Sequence, residues 1–359
     1  MSMIKDKGKR RTFIIGTGAF AETIASELSV RPDCAYQLIG IVSERADKRI
    51  SCHGFPLLGA IEDLRQLIDL HKPERIIVAM SKNYRHCADH QLLEAKVCKN
   101  IMVEDARTVY ENLTGKLPIE SLMPGGMIFS NYFEPAGISL SATRFLSFLL
   151  AVTAIVALGP FMLLIAALIK LDSRGPVLFV QDRVGLAGKK FKLLKFRTMQ
   201  PSDEKTSEWA VDNDHRITRV GRWLRKFRLD ELPQFFNVLF NDMNVVGPRP
   251  HPSSNFELFV LVSRNMPECG MQIPYYSLRL KVRPGITGWA QVRYQYANNL
   301  DEEIEKLKFD LYYIKHYSLW LDIRILFETI GIVIKGHGAS EKYGNATAHR
   351  TPAATQSNI

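Results

Sequence analysis

Two adjacent carboxylates, Asp230 and Glu231, sit inside a strongly basic run, residues 216–250, RITRVGRWLRKFRLDELPQFFNVLFNDMNVVGPRP. Arg216, Arg219, Arg222, Arg225, Lys226 and Arg228 precede the pair and Arg249 follows it. Cations at that density favour the ionised form of both acids. One acid is then available as a nucleophile or metal ligand, and the stretch as a whole draws phosphate. Pro233, just beyond the pair, marks the first turn of a new helix. A solvated basic helix with an ordinary acidic first turn would give the same letters, so the pair alone does not decide the matter.

Two more stretches carry cations suited to phosphate. Lys189, Lys190, Lys192, Lys195 and Arg197 form a basic ribbon, with Lys195 and Arg197 in the block KFRTM. For Lys189 and Lys190, attraction to anionic lipid headgroups is the simpler role. Residues 282–292, VRPGITGWAQV, read as a loop rather than a helix because of Pro284, Gly285 and Gly288. Arg283 there suits phosphate, and Trp289 fits either an interface or a core.

Several elements must position these groups. Residues 177–181 and 191–196 read as short strands separated by turn residues, which would hold the basic ribbon. Ahead of them, residues 145–169 carry no charge and are bounded by Arg144 and Lys170. At about 1.5 Å per residue this stretch could reach roughly 37 Å, more than a hydrocarbon core of about 30 Å. Gly159 and Pro160 interrupt it near the middle, and a proline there removes a donor and crowds the preceding turn. Two half-helices, each too short to span, are expected. A re-entrant helix over 144–171 that enters and leaves by one face fits the break and the basic flanks; a kinked transmembrane span is the alternative. Residues 308–326 mix aromatic, aliphatic and basic side chains as an interfacial helix would, or as a buried amphipathic helix would.

The N-terminal part reads as a small parallel α/β domain. A strand at 12–15 runs into GTGAFA and a helix, with further strands at 37–42 and 75–79 and a helical stretch before the last. Gly16, Gly18 and Ala21 give G-x-G-x-x-A, a weak dinucleotide-binding signature, and Glu44 is a displaced candidate for the ribose. No Tyr-x-x-x-Lys pair follows. His86, Cys87 and His90 lack a fourth ligand and read as helix surface. The 46% hydrophobic content of the 359 residues implies packed cores, and the net charge of +10 implies an anionic partner: phosphate ester, nucleic acid or lipid surface. Five dispersed cysteines without a CxxC indicate neither zinc nor a disulfide framework and fit a reducing compartment. No signal peptide is read in the basic N-terminus.

Four blocks occur in order: KFRTM at 195–199, LDELPQ at 229–234, VGPRP at 246–250 and VRPGITGWAQV at 282–292. Together they resemble the bacterial sugar transferases that are polyprenyl-phosphate phosphoglycosyl transferases of the monotopic type, over residues 141–335. The resemblance implies that Asp230 attacks the β-phosphorus of a UDP-sugar and forms a phosphosugar aspartyl intermediate, which undecaprenyl phosphate resolves. It implies Mg²⁺ on Glu231, substrate contacts from Lys195, Arg197 and Arg249, and Arg225 tying the dyad to the re-entrant helix. Gly159-Pro160 would stand where the family commonly has Ser-Pro. The implied setting is the cytoplasmic face of a bacterial inner membrane, with lipid and a homodimer as partners, no nucleic acid, and initiation of exopolysaccharide from a hexose such as glucose or galactose. The expected layout is a Rossmann-like domain at 1–115, a linker at 116–140 holding a strand at 127–130, an α+β catalytic domain at 141–338 and a disordered tail at 339–359. Three rival classes are an NAD-dependent oxidoreductase or epimerase resting on GTGAFA, a nucleic-acid binder resting on charge, and a non-catalytic scaffold.

Overall fold

The structure is a computed structural model that describes residues 9–44, 51–52, 54–80, 82–122, 133, 137–200, 216–253, 275–294 and 300–334. The chain divides into two units, Met1–Asn131 and Tyr132–Ile359.

Alternation along one strand organises the first unit. β1 (Arg10–Ile15) sends Phe13 and Ile15 into one apolar cluster and Ile14 into another, all fully buried, because successive side chains on a strand face opposite ways. β2 (Tyr36–Ser43) and β5 (Arg75–Val78) pair with it in parallel. Beyond them lie β4 (Phe55–Ala60) and β6 (Met102–Asp105), also parallel, and β3 (Ser51–Cys52) closes antiparallel on β4. The order is β3-β4-β2-β1-β5-β6. α1 (Ala19–Val30) and α4 (Ala106–Thr114) cover the Ile14 face; α2 (Leu64–His71) and α3 (Lys82–Val97) cover the Phe13 face. Helices on both faces explain why the strands read as continuous apolar runs. β3 and β4 went unread because their half-buried residues do not form such a run.

The unit extends past residue 115, where the sequence suggested a linker. Leu117 and Ile119 are buried within it, and a short 3₁₀ turn spans Ile119–Ser121. The expected strand at 127–130 and the tail at 339–359 lie outside the described residues.

The second unit opens with α5 (Gly137–Asp172), a single helix of 36 residues with Pro160 in its interior. The expected separation into two half-helices is therefore corrected: the helical pattern runs through Gly159 and Pro160. One missing donor removes one bond of the ladder, and the leucine- and alanine-rich flanks carry it on either side. An antiparallel hairpin follows, β7 (Leu178–Val184) with β8 (Lys190–Phe196), and it aligns Phe179 with Lys195. Next come α6 (Arg219–Lys226), α7 (Gln234–Leu239) and the parallel pair β9 (Asn244–Val246) with β10 (Gly285–Thr287). α8 (Trp289–Arg293), α9 (Leu300–Lys315) and α10 (Leu319–Ile334) complete it.

Both ends of α5 are fastened to this unit. At its start, Arg144 donates to the carbonyl oxygens of Val238 (2.7 Å) and Met243 (2.9 Å), and Ser147 Oγ accepts from the Val245 amide at 3.2 Å. At its end, Met162, Ile165 and Ile169 join Phe196 and Leu224 in one apolar cluster, and Asp172 accepts the Val220 amide at 3.0 Å. Between and around these anchors Phe145, Leu149, Val156, Leu163, Leu164 and Leu171 are exposed.

Candidate active site

The dyad lies on a turn held from both sides. Thr218 caps α6 by accepting from the Gly221 amide at 2.9 Å, the cap geometry expected of a threonine there. A Cβ on Gly221 would lie 2.1 Å from the Thr198 carbonyl oxygen, so α6 rests directly on the KFRTM backbone. After α6, Arg228 adopts a left-handed conformation at φ 53° and starts a 3₁₀ turn, Leu229–Glu231. Leu229 and Leu232 pack against the cluster of Ile165, Phe196 and Leu224. The two acids between these leucines are thereby held in place.

The two acids have different surroundings. Glu231 is buried, and its Oε1 accepts from Lys195 Nζ at 3.1 Å and Arg249 Nη2 at 2.9 Å, with Arg228 Nη1 3.8 Å from Oε2. Burial pushes its carboxyl up, but Arg249, Lys195 and Arg228 outweigh that and hold it well below the usual range. Asp230 is half-buried and makes no hydrogen bond or ion pair among the described residues. Burial raises its pKa, and the neighbouring Glu231 charge adds to the rise, against the pull of Lys195, Arg249 and Arg225. The expectation that the cations favour ionisation of both acids holds for Glu231 and is corrected for Asp230. One cation set cannot serve two carboxylates equally, and Glu231 has the direct contacts.

The structure gathers Lys195, Arg228, Asp230, Glu231 and Arg249 into one cluster. Arg225 lies within electrostatic reach of Asp230, and its Nη1, like Nε of Arg228, is buried without a hydrogen-bond partner. Two such donors beside the dyad fit an anionic ligand. Val220 and Leu224 of α6 link the dyad's turn to α5. Arg197 is placed elsewhere. It is buried and donates to the carbonyl oxygens of Ser173 (2.8 Å) and Arg174 (3.0 Å), bracing β8 to the end of α5. Arg283 points to the Asn241 carbonyl oxygen at 3.4 Å, away from the cluster. Trp289 is buried against Tyr312, with Arg293 and Arg324 over its ring, so it belongs to the core.

VGPRP and VRPGITG meet backbone to backbone. A Cβ on Gly285 would lie 2.1 Å from the Gly247 amide nitrogen, and one on Gly288 would lie 2.1 Å from its carbonyl oxygen. The loop expected at 282–292 is thus partly regular, since this close approach makes the β9–β10 pair and starts α8. Beside it lies a small, half-open cleft whose wall includes Arg249, Pro250, His251, Tyr276 and Arg279. Arg249 faces both this cleft and Glu231. Behind it, Arg279 Nη1 lies 2.9 Å from His251 Nε2, and His251 Nδ1 lies 2.6 Å from the Tyr276 hydroxyl. A guanidinium can only donate, so Nε2 accepts and Nδ1 carries the proton. Burial, then Arg279 and Lys306, keep His251 well below its usual pKa and neutral. Asp310 balances Arg279 at 2.9 Å. Sequence reasoning missed this wall; the only local signal was His251 directly after GPRP.

No group of three or more metal-ligating side chains occurs among the described residues. Among the described residues the dyad is the place a hard cation would find carboxylate, with Glu231 Oε2 the less tightly paired oxygen. In the first unit, Gly16 has φ +127° and a Cβ there would lie 2.8 Å from the Ala79 carbonyl oxygen, so its own packing requires glycine. Gly18 precedes α1, and a Cβ there would meet nothing within 4 Å.

The sequence profile of the family described as Bacterial sugar transferase matches residues 138–336, over half the chain. The chain belongs to the bacterial sugar transferase family. It is 43% identical, over 67% of its length and 54% of the relative's, to a UDP-N-acetylgalactosamine-undecaprenyl-phosphate N-acetylgalactosaminephosphotransferase of Aeromonas hydrophila. A UDP-glucose:undecaprenyl-phosphate glucose-1-phosphate transferase of Xanthomonas campestris pv. campestris is 34% identical over 89% of this chain and 66% of its own. A UDP-galactose-lipid carrier transferase of Erwinia amylovora is 30% identical over 92% of this chain and 69% of its own. The chain thus spans between about half and two thirds of the length of these relatives.

Proposed function

We propose that this sugar transferase moves a sugar 1-phosphate from a UDP-sugar to undecaprenyl phosphate, with Asp230 as nucleophile. The observation that carries this reading is the asymmetry of the dyad. Glu231 is neutralised by three cations, whereas Asp230 lies in the same field without a hydrogen bond and with a raised pKa, so its oxygens are basic and unencumbered. An Asp230 oxygen bonds to the donor's β-phosphorus as the bond to the bridging oxygen breaks, and that oxygen leaves with UMP. A phosphate oxygen of undecaprenyl phosphate then bonds to the same phosphorus and the acyl phosphate bond breaks, which regenerates the carboxylate. Lys195, Arg228 and Arg249, with the unpartnered donors of Arg225 and Arg228, hold the diphosphate. Glu231 would be the residue to hold a Mg²⁺ ion, which would supply charge neutralisation on the transferring group.

The seat of α5 supports a monotopic, re-entrant placement at the cytoplasmic face of the inner membrane. The flanks 143–151 and 162–169 are fixed to one unit, and the ten residues between them measure about 15 Å at the helical rise, half of a hydrocarbon core of about 30 Å. A helix held to one unit at both flanks leaves only this middle stretch, which contains Pro160, free to dip into the apolar layer. Mg²⁺-dependent UMP release, from UDP-glucose, UDP-galactose and UDP-N-acetylgalactosamine with undecaprenyl phosphate present, tests the reaction and selects the sugar. Absence of UMP with every donor counts against it.

A further inference from the structure

Away from the dyad, two guanidiniums converge on one turn. Arg144, at the start of α5, is clamped by the carbonyl oxygens of Val238 and Met243 and by Asn244 Oδ1 at 3.4 Å. Arg283 reaches the same turn from the other side, its Nε on the Asn241 carbonyl oxygen at 3.4 Å. The two cations lie within electrostatic reach of each other. Neither has a carboxylate within ion-pair distance among the described residues, and both Nη groups of Arg283 lack a hydrogen-bond partner there. Like charges held together without a counter-ion repel, and an anion between them relieves the repulsion.

The surroundings narrow the kind of anion. Phe145, beside Arg144, is 69% exposed, and Phe240, beside Asn241, is 68% exposed. Tyr317, also within reach of Arg283, shares a hydrogen bond with Thr143 of α5, and three residues on Trp320 is 80% exposed. Cations rimmed by exposed aromatic rings at the root of an apolar helix match a headgroup layer, with phosphate at the charged centre and chains along the rings. A soluble phosphate would gain nothing from the rings.

We propose that Arg144 and Arg283 form a second anion site that binds the phosphate of a membrane lipid, separate from the Asp230 cluster. This rests on the membrane placement proposed above, not on the chemistry of Asp230. Arg144 is the preorganised half, because three acceptors fix it. Arg283 supplies the open fork. The site would register the protein against the bilayer surface where α5 enters it.

The test is lipid retention by the full chain, measured by native mass spectrometry from detergent with phosphatidylglycerol, undecaprenyl phosphate or inorganic phosphate as the probe. Wild type should retain one tightly held lipid, and Arg283→Gln should weaken it roughly tenfold or more, as expected for a charge-assisted fork. Lys281→Gln, which removes a nearby exposed charge, should leave retention unchanged, and Arg283→Lys should fall between and covers misfolding of the glutamine variant. Preference for undecaprenyl phosphate would identify the acceptor as occupant, and preference for phosphatidylglycerol a bulk lipid; either supports the site. Equal retention by wild type and Arg283→Gln, or inorganic phosphate binding as tightly as lipid, overturns it. Asp230→Asn should keep the lipid while losing turnover, so failure of the chemistry and failure of this site are told apart.

Discussion

Asp230 and Glu231 are neighbours in sequence and opposites in energetics, and substitutions should separate them. Glu231→Gln leaves Lys195, Arg249 and Arg228 facing each other without their common anion. Breaking a buried ion cluster in this way costs about 3–5 kcal/mol, so thermal unfolding should show a marked loss. Asp230→Asn removes a carboxylate whose ionisation the fold opposes, and stability should hold or rise while UMP release disappears. The signs with pH follow. Stability from Glu231, whose folded pKa is lowered, is present above its unfolded value near 4.5 and is lost as pH falls towards the folded value. If Asp230 is the nucleophile proposed above it must be ionised to attack, so single-turnover transfer should fall on acidification at a pH above the usual aspartate value of 3.8. Asp322 offers a separate case. It is buried with the Tyr313 hydroxyl at 2.7 Å, and burial, against that hydrogen bond, raises it to about 7. Its ionisation therefore costs stability as pH rises from its unfolded value through 7. Asp322→Asn should stabilise the protein at pH 8 by about 2–4 kcal/mol and leave it unchanged at pH 4, as read from denaturant midpoints. None of this asymmetry could be read from the letters DE, because it depends on which oxygen Lys195 and Arg249 reach across the fold.

At the scale of elements, the strands, the basic hairpin and the helix start at Pro233 follow from alternation and turn residues, and they form where the sequence places them. What escaped was tertiary. Pro160 was read as a terminator, but the apolar residues on both sides carry the helix through it. The segment 308–326, read as one helix, divides at residues 316–318 into α9 and α10, which buries Tyr313 and leaves Trp320 exposed. Arg197 looked like a phosphate ligand because it stands in a motif, yet its partners Ser173 and Arg174 lie more than twenty residues earlier in the chain. Glycines give a sharp test at this scale. Gly221→Ala places a methyl 2.1 Å from the Thr198 carbonyl oxygen and must displace α6 from KFRTM, costing about 3 kcal/mol or more. Gly159→Ala meets nothing within 4 Å and should change stability by less than about 0.5 kcal/mol.

The whole molecule joins a parallel-sheet unit to a unit of the sugar transferase family that carries its own apolar helix. The first unit was readable as α/β from its buried strands. Its glycine turn packs Gly16 against the Ala79 backbone, where a Cβ would not fit. The proposed placement in the bilayer would be a property of the second unit, which carries the apolar helix, and it can be probed with single cysteines. Ser141→Cys, near the start of α5, and Ser173→Cys, just after its end, should both label from the same face of a sealed vesicle; labelling from opposite faces contradicts the re-entrant reading. The most direct test concerns covalent chemistry. Enzyme quenched during turnover with a UDP-sugar, digested and examined by mass spectrometry, should carry a sugar phosphate on the peptide containing Asp230. An unmodified Asp230 peptide during full-rate product formation would contradict the account.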